Sequence, residues 1–127
     1  MSGNSAYLEK GDMAGLLVGL DFQDLFQKTV MATLSRILGE SATKSLLYHA
    51  GFGPRIDDTT EFHLRLTRLL GEQGIEVLEM SIIKALFAAL SAPVPTWESG
   101  FDFEKQVRLG RDMYLGSIAK RSVEERI

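Results

Sequence analysis

The chain has no cysteine. That excludes disulfides, thiolate zinc sites, iron–sulfur clusters and cysteine nucleophiles, and it fits the cytoplasmic location expected from the lack of a membrane span or signal core. Basic residues are not in excess: 14 Lys and Arg stand against 17 Asp and Glu, for a net charge of −3. The general electrostatic footprint of a nucleic-acid binder is missing, and no nucleic-acid partner is expected. Long apolar runs are missing as well. The longest uncharged stretch, Ala85–Trp97, is interrupted by Pro93 and Pro95. A membrane-spanning helix needs about 20 apolar residues, so no membrane partner is expected. Met13–Leu20 is apolar enough for a signal core, but Glu9 and Asp12 precede it and no small-residue cleavage pattern follows. The two histidines, His49 and His63, carry no HExxH, paired-histidine or EF-hand spacing, so neither a metal nor a cofactor is expected. GxSxG, Walker A and GxGxxG motifs are absent too.

What is present is a 45% hydrophobic chain of 127 residues. That length fits one domain, and folding at this size buries roughly two-thirds of the extended-chain surface. Residues 1–20 are glycine-rich, with Gly3, Gly11, Gly15 and Gly19, and read as a flexible or loosely docked segment. The single helical domain is expected over 21–121, followed by a charged tail over 122–127.

Apolar residues at helical spacing predict five helices in that domain. The first runs from about Phe22 to Leu38, with Asp21 as N-cap and Phe22, Phe26, Val30, Thr33, Leu34 and Ile37 inward. The second covers about Ser41–Ala50. The third starts after the capping run Asp57-Asp58-Thr59-Thr60 and ends near Leu70, with Phe62, Leu66, Leu69 and Leu70 inward. The fourth, about Ile75–Ser91, is apolar nearly all round and is expected at the centre. The fifth runs from about Asp102 to Lys120 on Phe103, Val107, Gly110, Tyr114 and Ile118. No window alternates with the period of a strand.

Leu34-Ser-Arg-Ile-Leu-Gly-Glu40 is nearly repeated as Leu66-Thr-Arg-Leu-Leu-Gly-Glu72, 32 residues later. Each copy reads as a helix end, a glycine cap and a new helix start. The fold class expected is therefore all-α: a five-helix bundle built from two similar helical hairpins plus a closing C-terminal helix.

Glu79 is the anomaly. A helical wheel places it among Ile75, Ile82, Ile83 and Leu86, and its counterpart in the repeat is Leu47. A buried carboxylate costs several kcal/mol unless it is paired or neutralised. Glu79 is then either a polar anchor in a pocket or a structural partner of Arg36, Arg55 or Arg68, or of a helix N-terminus. The candidate ligand-binding residues are Glu79, Arg36, Arg68 and His63. Leu109 and Met113, off the main face of the last helix, and Trp97 and Phe101 in the connector are candidate interface residues. They point to a homodimer or a protein partner.

The segments Ile37-Leu-Gly-Glu40 with Leu46-Leu-Tyr48, Phe62-x3-Leu66-x2-Leu-Leu-Gly-Glu72-x-Gly74-Ile-x-Val-Leu-Glu79, and Phe101-Asp-Phe103 carry a resemblance. Over roughly residues 25–110 the chain resembles a small all-helical archaeal family described as an output domain of unknown function, found alone or attached to signalling modules. The resemblance implies a helical regulatory or interaction module and supplies no catalytic residues. Its matching motifs are packing and capping positions; the glutamate of its Val-Leu-Glu segment matches Glu79.

Three functions are consistent with these residues. The first is a non-enzymatic helical interaction or regulatory module, acting as a homodimer or on a partner. The alternative is a small-ligand-binding protein with a pocket near Glu79. The third is an enzyme using Glu79 as general acid/base.

Overall fold

The structure is a computed structural model that describes residues 10–126 apart from 54 and 57, with side-chain surroundings over 22–117. Four helices make up these residues: α1 (Lys10–Leu38), α2 (Glu40–His49), α3 (Thr59–Ala89) and α4 (Phe103–Arg126). No strand occurs among the described residues. None of these helices is long and apolar enough to cross a membrane.

The expected count of five is therefore corrected to four. The third and fourth expected helices join into α3, in which only Gly71 leaves the helical region. The first begins at Lys10 rather than Phe22, which puts Asp21 inside α1 and not at its N-cap. Glycine lowers helix stability by about 1 kcal/mol per interior site, and the helix propagates across Gly11, Gly15 and Gly19 all the same. The last helix continues past Lys120 to Arg126. Residues 1–9 of the expected N-terminal segment lie outside the described residues.

Gly71 has φ 78° and ψ 164°, and Gly39, between α1 and α2, has φ 91° and ψ 157°. Both lie in a region that is essentially restricted to glycine. In each case the glycine ends one helical run and starts the next. The repeat noted in the sequence is thus a repeat of backbone conformation.

Within α3 this glycine reverses the chain. His63 and Glu79 are 16 positions apart, and a straight helix would hold them about 24 Å from each other. Their side chains are instead in hydrogen-bond contact at 2.8 Å. In the first hairpin, Met31 of α1 and Leu47 and Tyr48 of α2 line one small cavity, so α2 folds back along α1 in the same manner.

The core fills the space between these hairpins and α4. From α1 come Phe22, Phe26, Val30 and Leu34; from α3, Phe62, Leu66, Ile75, Ile82, Ile83, Leu86 and Phe87; from α4, Phe103 and Val107. Phe26 stands at its middle, with ring centroids 6.5 Å from Phe62 and 6.2 Å from Phe103. Gly110 lets α4 approach closely, since a Cβ there would lie 3.2 Å from Leu86 Cδ2. Asp58 caps α3 by accepting from the backbone N–H groups of Thr60 and Glu61. Leu69 and Leu70, expected inward, are 48% and 37% exposed, because the chain reverses at Gly71 and their turn projects beyond the neighbouring helices. Ile37 is exposed at the equivalent turn, 42%, against its expected inward place.

Candidate functional site

The reversal at Gly71 brings the two halves of α3 side by side, and the N-terminal turn of α4 lies across them. Between these three segments is a cavity of about 390 Å³. The first half of α3 contributes His63 and Thr67, the second half Glu72, Ile75, Glu76 and Glu79. The end of the connector and the start of α4 contribute Phe101, Asp102, Phe103 and Glu104. Five carboxylates and one imidazole thus line it, with no lysine or arginine among the lining residues.

Glu79 sits deepest and is 1% exposed, as its place on the wheel indicated. His63, with its side chain 37% exposed, lies between it and solvent. Nδ1 of His63 is 2.8 Å from Glu79 Oε2 and 3.0 Å from Oε1. The imidazole is held by stacking on Phe103 at 6.5 Å and 24°. One proton serves this contact: Nδ1–H donates to the ionised carboxylate, or the protonated carboxyl donates to Nδ1. Burial pushes the Glu79 carboxyl up from 4.5 to about 7. The hydrogen bond and charge of His63 oppose that rise, and the neighbouring Glu76 and Glu104 add to it.

Two further carboxylates of the lining are tied by hydrogen bonds within the fold. Asp102 accepts from the Lys105 backbone N–H at 3.1 Å and so caps α4. Glu104 accepts from the Thr60 hydroxyl at 3.1 Å. Among the described residues, no group of three or more His, Asp or Glu converges tightly enough to hold a metal ion.

Of the four ligand-binding candidates, the structure brings Glu79 and His63 together. Arg36 is exposed near the end of α1. Arg68 lies on a separate depression with His49, Arg65 and Leu69. The partner sought for Glu79 among the arginines is His63. The interface candidates divide similarly. Leu109 and Met113 are 42% and 38% exposed on α4. Trp97 and Phe101 pack on each other at 4.9 Å and against the core, and Phe101 forms part of the cavity wall.

The repeat gives the pair its context. His63 and Glu79 occupy the positions that correspond to Met31 and Leu47 in the first hairpin. Those two apolar residues also share a cavity lining. One hairpin therefore carries two apolar residues at these positions and the other a hydrogen-bonded pair.

Glu72 and Glu76 read in the sequence as ordinary first-turn acids; their spacing to Glu79 is the signal that all three share a helix face. Asp102 and Glu104 have no sequence signal that places them here. Comparison of the chain with family models, curated proteins and solved structures finds no match.

Proposed function

We propose that this protein is a non-enzymatic ligand-binding module whose cavity beside Glu79 takes a small organic cation. The observation that carries this reading is the lining: five carboxylates and His63 around about 390 Å³, without a lysine or arginine. That volume is within the usual range for small-molecule sites. A concave site lined by one sign of charge concentrates counter-ions. The rings of Phe101 and Phe103 add faces on which an ammonium or guanidinium group rests favourably. The dispersed carboxylates suit a hydrogen-bonded organic cation better than a coordinated metal ion.

A regulatory role for the module is supported by the resemblance to the helical output family, and a cytoplasmic location fits the absence of cysteine. A protein-partner or dimer function has a smaller basis, the exposed pair Leu109 and Met113 one turn apart on α4. General acid/base catalysis by Glu79 is favoured by its position near neutrality. No catalytic motif accompanies it in the sequence.

Calorimetric titration with benzylammonium and with acetate at about pH 8 tests the proposal. Saturable heat is expected from the ammonium and none from acetate, and Glu79→Gln should weaken the former. Equal responses to both ions would refute it.

A further inference from the structure

We propose that the site exchanges ions: an organic cation enters the cavity as the His63–Glu79 pair gives up one proton to water. This rests on the cation-binding reading above and adds how the site is regulated.

The geometry makes proton and cation alternatives. Both Glu79 oxygens face a single nitrogen, so an ionised Glu79 has one N–H donor for about four acceptor positions. The charged groups facing it from each packed segment offer no further positive charge. Its own half of α3 presents Glu72 and Glu76; the start of α4 presents Asp102 and Glu104; the opposing half of α3 presents only His63. A negative charge on Glu79 is therefore offset either by a bound proton or by a cation that arrives from the cavity. Its carboxyl keeps the proton to about neutrality, because burial disfavours the charged form. His63, more exposed than its partner, is the group that yields when a ligand ammonium approaches the same oxygens.

Met31 and Leu47 occupy the corresponding positions of the first hairpin, which turns on a glycine of the same conformation. The second hairpin thus places a hydrogen-bonded His63–Glu79 pair at the cavity where the first carries two apolar residues.

The charge balance is simple. The protonated site and R–NH3+ become the occupied site and one H+, with no electron transferred. The probe is benzylammonium, titrated calorimetrically at about pH 6 in two buffers of different ionisation enthalpy. Close to one proton released per cation is expected there, falling towards none at about pH 8. Affinity is expected to rise about tenfold per pH unit below neutrality and then level off. Glu79→Gln should bind more weakly, without proton release. The double substitution His63→Met with Glu79→Leu copies the first hairpin; it should fold and bind no benzylammonium. Saturable binding with equal heats in both buffers and a flat pH profile would overturn the exchange and leave the cation site standing. No binding at any pH would overturn both, as would undiminished binding by the double variant.

Discussion

Gly39 and Gly71, 32 positions apart, hold nearly the same backbone conformation, φ 91°, ψ 157° and φ 78°, ψ 164°. At neither would a Cβ meet an atom within 4 Å. The glycine requirement is therefore one of backbone conformation alone. Replacing either by alanine is expected to cost about 1–3 kcal/mol, the usual strain for a side chain in that region. Gly116 lies in α4 with open space around its Cβ position, and Gly116→Ala should stabilise by about 0.5–1 kcal/mol. Chemical denaturation of the three variants checks both statements; a neutral Gly71→Ala would contradict the first.

The contact between His63 and Glu79 predicts an asymmetry between its two truncations. His63→Ala removes the hydrogen-bond partner from a carboxyl that is 1% exposed, at a cost of about 1–3 kcal/mol. Glu79→Leu removes the buried polar group, and leaves behind an imidazole that is 37% exposed and can turn to water. Its effect should lie within about 1 kcal/mol of neutral, or be stabilising. Thermal unfolding of both variants is the check. A loss of several kcal/mol in Glu79→Leu would show that the pair is required by the fold.

Stability should fall as pH rises through the acid range. Glu79 has its folded pKa raised from 4.5 to about 7. Between those values the native state keeps a proton that the unfolded state has released, so unfolding becomes more favourable with increasing pH. The contribution is fully present below about pH 4.5 and lost by about pH 7, and amounts to about 3 kcal/mol at most. In Glu79→Gln that component disappears. The difference in denaturation midpoint between wild type and Glu79→Gln, followed from pH 4 to pH 8, isolates it. An invariant difference would contradict the prediction.

Much of the core was legible from helical spacing. Phe22, Phe26, Val30, Thr33 and Leu34 are buried on α1, and Phe103, Val107 and Gly110 on α4, as their spacing indicates. Glu79 was legible as buried because Ile75, Ile82, Ile83 and Leu86 surround it on the wheel. Helix ends were less legible. A wheel carries no information on where the chain turns, so Leu69 and Leu70 look like core residues although they stand on the turn before Gly71. The start of α1 was hidden by its glycines, whose intrinsic cost the longer helix absorbs. His63 as the partner of Glu79 depends on a contact across a reversal, 16 positions away. The repeat register makes 63 equivalent to 31 and 79 equivalent to 47 but does not say which positions meet across the turn. The acids of α4 reach the cavity only through the tertiary packing of that helix, which no local pattern encodes.

The central claim is that the cavity beside Glu79 takes an organic cation. Its most direct test is the side-chain carboxyl 13C shift of Glu79, followed by NMR while benzylammonium is added at about pH 8. A saturable shift at Glu79, accompanied by movement of the His63 ring signals, is the result predicted. No change at Glu79 while benzylammonium perturbs other parts of the chain would contradict it.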